Sequence, residues 1–311
     1  MPSEIRVQPA TGAAELRQIS NVVSAVSPEA RMDVEDLEHW MASNADAVLL
    51  LAHVGETAAG AATASRSGRP EFQFTMVRVV PAQRRRGVGS ALLAAARRHA
   101  IELGLPQLWS RVDASDRGSL ELAWLRGLAE TSRELSSVID LAAGGEPFPA
   151  PAGVMVVSLA DRPDLIQGAY DAERECLPDV PVPTPMEATS FDVWHEQTLG
   201  GPGALPAGSM VALAGDEVIG FAGLRGDAAN SGTAEHLLTC VRSPWRGLGV
   251  AEAMKSAQIA WARSAGLARL KTSNDSPNAA MLAVNRRLGY RVVAESVIVE
   301  GAADVGATRT V

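Results

Sequence analysis

Two short stretches combine arginine and glycine in a spacing that could bind phosphate groups. Residues 246–251, "RGLGVA", follow the pattern R-x-x-G-x-A, and residues 84–89, "RRRGVG", follow R-x-x-G-x-G. Each leaves an apolar, strand-like run and enters a helix-like run. Glycine lets the backbone approach a ligand closely, and the first turn of a helix presents unpaired N–H groups at positive potential. Both stretches therefore predict a site for phosphate oxygens, to which the arginines add charge and donors.

Other chemistries have weaker support in the sequence. The loops match neither the six-residue dinucleotide fingerprint nor a P-loop, which needs Gly-Lys-Ser/Thr. The five histidines and two cysteines lack metal-ligand spacing, so no metal site is predicted. Cys176 and Cys240 lie far apart in the chain, which indicates isolated, reduced thiols.

The composition is that of a globular protein with room for two domains. The 311 residues are 47% hydrophobic and carry a net charge of −8, which argues against nucleic acid as the main partner. No apolar run approaches the roughly 18 residues of a membrane helix, and the N-terminus lacks a signal-peptide pattern. We therefore expect a cytoplasmic protein without a membrane partner. The oligomeric state is not predicted.

The two loops belong to a longer internal repeat. An offset of 162 residues places Arg84 on Arg246 and holds from position 79 to position 127 without a gap. This register predicts a tandem duplication, with domains at 1–145 and 154–311. A Gly- and Pro-rich linker at 146–153 joins them. The alternative is two unrelated α/β units that share a loop pattern.

The order of elements predicts the fold class. The second copy reads as strand, two helices, hairpin, strand, Arg–Gly loop, helix, strand, short helix and strand. The prediction is an α/β fold, with two tandem domains that are each a mixed, mostly antiparallel twisted sheet flanked by helices. The proline-rich stretch 176–188 is predicted as a loop between helices.

The Arg–Gly loop, placed between strand and helix, resembles the coenzyme A pyrophosphate loop of the GNAT N-acetyltransferase superfamily, Q/R-x-x-G-x-G/A. The segment 274–293, "NDSPNAAMLAVNRRLGYRVV", resembles the family's N-x-x-A-x-x-x-Y-x-x-x-G-F. Asn278 takes the Asn position and Tyr290 the terminal aromatic position. The family's tyrosine, a proposed acid for the departing thiolate, is replaced by Asn285, and an amide supplies no proton at neutral pH. Solvent or another residue does that work, or thiolate departure needs no acid.

The resemblance implies a tandem GNAT acetyltransferase with acetyl-CoA as co-substrate and a small-molecule primary amine as acceptor. In the C-terminal copy it assigns to acetyl-CoA Val241, Arg246, Gly247, Leu248, Gly249, Val250, Ala251, Asn274, Asn278 and Asn285. In the N-terminal copy it assigns Val79, Arg84, Arg86, Gly87, Val88 and Gly89. Two plainer readings stay open, in which Asn278 only caps its own helix and "QRRRG" is only a solvated basic turn.

Acetyl transfer to an amine also needs a base, because an alkylammonium is protonated at pH 7. Glu235, six residues before Val241, takes the position of a catalytic glutamate in some GNAT enzymes. Strand alternation places Glu235, Leu237, Thr239 and Val241 on one face. His236 is the reserve candidate, and the alternative for Glu235 is a strand-end residue that reaches solvent. The backbone N–H of Val241 is the predicted oxyanion donor, and the segment 170–199 is the predicted acceptor pocket.

The N-terminal copy keeps the loop but loses most of the rest. By the offset of 162, Gln73 stands at the position of the predicted base. Asp116 and Ala123 stand at the positions of Asn278 and Asn285. We therefore predict chemistry in the C-terminal copy and a degenerate N-terminal copy. Two other classes stay open: a non-catalytic acyl-CoA sensor, and acyl transfer to a thiol or hydroxyl.

Overall fold

The structure is a computed structural model, which describes residues 4–42, 44, 46–69, 71–142, 147–180, 188–201, 203–227 and 230–304. The chain forms two compact units. Unit 1 comprises Met1–Arg133 and Ser296–Val311, and unit 2 comprises Glu134–Glu295. In the part of the chain so described, no helix is both long and apolar enough to cross a membrane.

Unit 1 is a sheet with helices on both faces. Its elements are β1 (Ile5–Pro9), α1 (Ala13–Val26), α2 (Val34–Ala42), β2 (Val48–Val54), β3 (Thr57–Arg66), β4 (Phe72–Val79), α3 (Val88–Glu102), β5 (Gln107–Asp113) and α4 (Arg117–Leu125). The end of β12 (Arg291–Ala302) completes the sheet, whose order is β1-β2-β3-β4-β5-β12. All neighbours are antiparallel except β4 and β5.

Unit 2 repeats this plan. Its elements are the end of β6 (Ala129–Asp140), β7 (Val154–Ser158), α5 (Ile166–Cys176), α6 (Phe191–Leu199), β8 (Met210–Ala214), β9 (Glu217–Gly226), β10 (Thr233–Val241), α7 (Val250–Ser264), β11 (Arg269–Asp275) and α8 (Ala279–Arg287). The strand order is β6-β11-β10-β9-β8-β7, and only β10 and β11 are parallel. The mixed, mostly antiparallel sheets confirm the predicted fold class.

The helix α7, which follows the unit 2 loop, is fixed by apolar residues at helical spacing. Val250, Met254 and Ile259 are buried on the side that meets the sheet, as expected for a helix with one apolar stripe. Gly266, with a φ of 75°, ends the helix in the left-handed conformation that glycine favours. The other face of the sheet is covered by α5 and α6 through Tyr170 and Trp194.

The boundary between the two compact units does not coincide with the boundary between the predicted sequence repeats. The end of β6, from the first repeat, pairs with β11 in unit 2, and the end of β12, from the second repeat, pairs with β5 in unit 1. The repeats at 1–145 and 154–311 remain a prediction about the sequence, and residues 143–146 of the linker region lie outside the described residues. Each compact unit contains the last strand of the other repeat.

Candidate active site

The unit 2 loop has the backbone geometry of an anion site. A 3-10 turn at Ser243–Trp245 follows β10, and α7 starts after Gly249, whose φ is 90°. Gly247 also has a positive φ, of 74°. The first bond within the helix runs from the N–H of Ala253 to the carbonyl of Gly249, so the N–H groups of 250–252 have no intrahelical acceptor. These donors lie at the positive end of the helix dipole, where they can hold phosphate oxygens.

The side chains of the loop fix its backbone. Val250 is buried in a cluster with Met254, and Ala251 packs against the same cluster. Leu248 is exposed, so its side chain plays no part in the packing and its contribution to the predicted site is its backbone. The loop is therefore anchored at the helix and open at its tip.

Arg246 is already engaged by protein groups. Its Nε donates to the carbonyl of Val241 at 2.8 Å, and its Nη2 lies 2.7 Å from a carboxylate oxygen of Asp179. The same Nη2 contacts the sulfur of Cys176 at 3.7 Å. These contacts, led by the bond to Asp179, raise the pKa of Arg246. The guanidinium thus ties the loop to the end of β10 and to the turn after α5, and its charge lies at the loop.

The two cysteines are neighbours in space. Cys176 ends α5 and Cys240 lies near the end of β10, and both are free and buried. A hydrogen bond with Cys240, helped by Arg246, lowers the pKa of Cys176 to about 7, while the same pairing and burial raise the pKa of Cys240. The expectation of reduced thiols is confirmed, although their contact could not be predicted, because sequence separation says nothing about the contact of a helix end with a strand.

A gap opens between the two parallel strands of unit 2. β10 pairs with β11 only at 233–235, opposite 269–271. Among the described residues, no strand pairs with the β11-facing edge of β10 from His236 to Val241, over about 16 Å. The N–H of Arg242 donates to β9, so alternation turns the N–H of Val241 to the other side, toward the gap. The gap thus runs from the loop to a closed end at His236.

β10 carries a bulge that changes which residues share a face. Its register with β9 shifts between His236 and Thr239. Val241 packs toward α7, and His236 lies on the same side with Tyr290, whereas Glu235 lies on the side of α5 and α6. The prediction that Glu235 shares a face with Thr239 and Val241 is wrong, because the extra residue reverses the alternation.

Buried polar atoms line the gap on the side of the sheet that faces α7. Asn285 is 2% exposed, and its Nδ2 donates to Oδ1 of Asn274 at 2.7 Å. The Oδ1 of Asn285 and the Oγ1 of Thr239 are buried and have no hydrogen-bond partner in the described part of the chain. A buried oxygen of this kind can accept a hydrogen bond from a polar ligand arm, and Oε1 of Gln73 in unit 1 is another.

The closed end of the gap holds a second polar group. Nε2 of His236 and the hydroxyl of Tyr290 form a short hydrogen bond, and Nζ of Lys255 lies 5.3 Å from the centre of the Tyr290 ring. Burial lowers the pKa of His236 well below its ordinary value and raises that of Tyr290. Burial also lowers the pKa of Lys255 to about 7. His236 is thus a core residue bonded to Tyr290, which argues against it as a base open to an acceptor.

Lys255 was not predicted as a site residue, although the sequence repeat contains a signal for it. At the offset of 162, Lys255 corresponds to Leu93 and Tyr290 to Leu128. A charged residue at a core position of a duplicated domain marks a place where the two copies differ in chemistry. Comparison of the two copies at every buried position would have found it.

Glu235 lies on the face toward α5 and α6, at the strand pair that closes the gap. Its carboxylate is 3.4 Å from Nζ of Lys271, which also contacts Asp227 at 3.0 Å. The side chain is 43% exposed, so both a ligand and solvent can reach it. The structure leaves Glu235 on the side of the sheet where the acceptor pocket was predicted. Residues 181–187 of the predicted pocket segment lie outside the described residues.

Asn278 caps α8. Its Oδ1 accepts a hydrogen bond from the N–H of Met281 at 3.2 Å, which satisfies one of the free donors of the helix. The capping role is therefore present in the structure. Its Nδ2 is not required by the cap.

Unit 1 keeps the backbone of the loop. Gly87 has the same φ of 90° as its counterpart Gly249. Arg85 takes a positive φ of 61° where unit 2 has Gly247, a conformation that costs roughly 1–2 kcal/mol outside glycine. Arg84 bonds to the carbonyl of Val79 at 3.3 Å, as Arg246 bonds to Val241.

The arginines of the unit 1 loop are also engaged by protein groups. Asp116 caps α4 through the N–H of Ser119, and its carboxylate lies 3.5 Å from Nη1 of Arg84. Arg86 bonds to Gln83 at 2.8 Å. Asp116 thus offsets part of the charge of Arg84, as Asp179 offsets part of the charge of Arg246.

Five positions of unit 1 are apolar where unit 2 has polar side chains, although Gln73 and Thr75 of β4 are buried polar residues. β4 also separates from β5, after 72–74, but its register with β3 has no shift. One apolar cluster fills this region and includes Val77, Leu93, Val112, Ala123 and Leu128. Their counterparts at the offset of 162 are Thr239, Lys255, Asn274, Asn285 and Tyr290. No polar lining for a ligand arm is present at these positions of unit 1.

The bulge also corrects the residue match between the copies. Gln73 was matched to Glu235 by counting, but β10 has one more residue than β4 at this point. Glu235 pairs with Lys271 as Phe74 pairs with Trp109, so Phe74 is the structural counterpart of Glu235. Phe74 is no base either, so unit 1 still lacks the carboxylate.

Comparison with known proteins agrees with this geometry. The model of the acetyltransferase (GNAT) family matches residues 14–126 and 166–290. A GCN5-related N-acetyltransferase from Sphaerobacter thermophilus superposes with a TM-score of 0.78 at 18% identity, over 97% of this chain and 96% of that one. A tandem GNAT protein from the clavulanic acid biosynthesis pathway superposes with a TM-score of 0.76 at 19% identity, over 97% and 100%. At these identities the likeness shows a shared fold. No curated protein matches the sequence.

Two matches to one family model, which together span more than half of the sequence, define the class. The chain belongs to the GNAT acetyltransferase family, in a tandem arrangement. It is an acyltransferase that uses acetyl-CoA as co-substrate.

Proposed function

We propose that this chain transfers the acetyl group of acetyl-CoA to a primary amine of a small molecule, and that unit 2 performs the chemistry. The observation that carries the proposal is the bulged strand β10 beside a gap lined by Asn285 and Thr239 in unit 2, set against an unbulged strand and apolar residues at the matched positions of unit 1. Bulges are common beside active sites because they re-aim side chains.

The residues of unit 2 suit acetyl-CoA. The free N–H groups of 250–252, with the charge of Arg246, would hold the pyrophosphate. The gap along β10 offers the length of an extended pantetheine arm, and the orphan oxygens of Asn285 and Thr239 would accept hydrogen bonds from its amides. Acetyl-CoA supplies an activated acetyl thioester.

Glu235 would take the proton from the acceptor ammonium, directly or through one water. The amine nitrogen then forms a bond to the acetyl carbon, the C–S bond breaks with its electron pair on sulfur, and the nitrogen releases its second proton to solvent. The N–H of Val241, which faces the gap, would stabilise the charge that develops on the carbonyl oxygen. Lys271, in contact with Glu235, fixes the position of the carboxylate.

Three single variants test the proposal, assayed with acetyl-CoA against a panel of amines. Glu235→Gln should lower kcat by roughly 100-fold or more while acetyl-CoA affinity stays unchanged, since a general base contributes this much. Arg246→Ala should raise the KM for acetyl-CoA. The matched variant Arg84→Ala, in unit 1, should leave turnover unchanged.

Loss of turnover in Arg84→Ala alone would overturn the assignment of the chemistry to unit 2. Acetyl-CoA binding without thioester cleavage for any amine would favour a non-catalytic sensor. Cleavage only with thiols or hydroxyls would replace the amine by another acceptor class.

The retained loop of unit 1 supports a further, non-catalytic role. We propose that backbone groups of 87–89, with Arg84 and Arg86, bind phosphate oxygens of an acyl-CoA weakly. Calorimetric titration with acetyl-CoA should give two sites per chain, of which Arg84→Ala and Arg86→Ala remove the weaker. One site in the wild type would show that the loop is empty.

A further inference from the structure

The chemistry in unit 2 leaves a charge without an obvious partner. When the C–S bond breaks, sulfur keeps the electron pair as a thiolate. The family position that would donate a proton holds Asn285, whose amide does not. A group that stabilises negative charge at the closed end of the gap would fill this role.

Lys255 lies where such a group is needed. It is one helical turn, about 6 Å, beyond Ala251 along α7, so it follows the direction in which the gap leads away from the loop. Its ammonium faces the ring of Tyr290, whose hydroxyl bonds to His236. His236 is the first residue of β10 past the last pair with β11. Lys255 is therefore held near Tyr290 and His236, which mark the closed end of the gap.

The ammonium has no counter-charge in its surroundings. Lys255 is 1% exposed, and none of the described carboxylates pairs with it. Glu252, one turn earlier on α7, pairs with Arg287 of α8. From β10 the titratable neighbour is His236, and from the segment between α8 and β12 it is Tyr290. A buried lysine without a partner is costly, and this cost falls away when an anion binds beside it.

The other neighbours of this ammonium are neutral. The N–H of Tyr290 donates to the carbonyl of Asn285, which links the aromatic ring to the polar lining of the gap. On β8 and β9 the residues that pack against α7 are apolar, among them Met210 and Ala222. The pKa of about 7 for Lys255 has burial as its cause, as expected for a site without an anion.

We propose that Lys255 is the cation that stabilises the sulfur of coenzyme A as a thiolate when the acyl bond breaks. The inference rests on the proposed function, because it needs coenzyme A in the gap of unit 2. In the reverse sense, the thiol of bound coenzyme A gives its proton to Lys255 or to solvent, and a thiolate–ammonium pair remains. Unit 1, with Leu93 in this place, cannot form that pair.

The thiolate can be observed without any turnover. Free coenzyme A is added to the full chain, and the ultraviolet band of the thiolate is followed from pH 6 to pH 9, with S-methyl coenzyme A as the blank. In the wild type the apparent pKa of the bound thiol should fall by one unit or more relative to free coenzyme A, a tenfold or greater gain in the thiolate-to-thiol ratio. Lys255→Met should abolish this gain without loss of S-methyl coenzyme A binding.

Two further variants separate a role in charge from a role in packing. Leu93→Met makes the matched change in unit 1 and should leave the thiolate signal unchanged. Tyr290→Phe removes the hydroxyl but keeps the lysine, and should retain the signal. A signal that survives in Lys255→Met, or is absent in the wild type although coenzyme A binds, overturns the role of Lys255 and leaves the proposed function standing. If coenzyme A binding is unaffected by Gly249→Val, which blocks the unit 2 loop, the proposed function itself fails.

Discussion

Replacement of Lys255 by methionine should change how the stability of the protein depends on pH. Burial lowers the pKa of Lys255 from 10.5 to about 7, whereas a lysine in the unfolded chain keeps its ordinary pKa. Below pH 7 both states carry the charge, and only the folded state holds it away from water. The separation of the two pKa values corresponds to about 5 kcal/mol of destabilisation at low pH.

The direction in which the free energy of unfolding changes with pH follows from proton binding. Between pH 7 and pH 10.5 the unfolded chain binds a proton that the folded chain has released, so the free energy of unfolding rises with pH. From pH 6 to pH 9 this rise is about 3 kcal/mol for the two pKa values. Methionine fills a similar volume without charge, so this contribution disappears in the variant. The variant should be more stable than the wild type at pH 6, and its advantage should shrink toward pH 9.

Urea unfolding at pH 6, 7, 8 and 9 measures this difference directly. The quantity of interest is the free energy of unfolding of Lys255→Met minus that of the wild type at each pH. Leu93→Met serves as the control, because it makes a methionine core change at the equivalent position without removing a charge. A constant difference between pH 6 and pH 9 would refute the reasoning, because it would mean that Lys255 titrates alike in both states.

Three other outcomes can be measured with the same protein. Gly249→Ala should lower the free energy of unfolding, measured with urea, by roughly 1–2 kcal/mol, because alanine is strained at a φ of 90°. It should also weaken acetyl-CoA binding. Gly87→Ala should lower the free energy of unfolding by the same amount and leave turnover unchanged. Asn278→Ala should lose about 1 kcal/mol of stability with the helix cap, and equal loss in Asn278→Asp would contradict the capping role. Cys176 should be alkylated before Cys240, at a rate that rises through pH 7; peptide mass spectrometry that finds Cys240 modified first would contradict the lowered pKa.

Local signals in the sequence predicted the elements that build the loop. Gly215 turns the hairpin, Gly249 opens α7 and Gly266 closes it, and each takes a positive φ in the structure. These positions are readable because glycine is favoured in that conformation whatever surrounds it. The repeat added a second instance of each pattern, which is why the fold class could be predicted.

The bulge in β10 could not be predicted from strand alternation. An extra residue leaves the apolar run of 233–241 looking like an ordinary strand, although every side chain before it changes face. The sequence does contain one indication of an insertion. The repeat offset is 162 after the strand and 160 in the hairpin before it. That difference shows an insertion but not where it falls. Glu235 could therefore be proposed as a base while its face was assigned wrongly.

The contacts of Arg246 could not be predicted from the sequence either. Its partners Cys176 and Asp179 are some seventy residues away in sequence, and they meet it only because α5 packs across β10. A contact of this kind depends on tertiary packing, which neither spacing nor composition encodes.

The strand exchange between the predicted repeats makes each compact unit depend on both of them. Deletion of the first repeat would remove β6 and leave β11 with a bare edge, and deletion of the second would remove β12 and do the same to β5. Bare edges invite aggregation. A repeat without a working site would still be required for the fold of the other. Both predicted repeats are therefore needed to complete either sheet, whichever of them carries the chemistry.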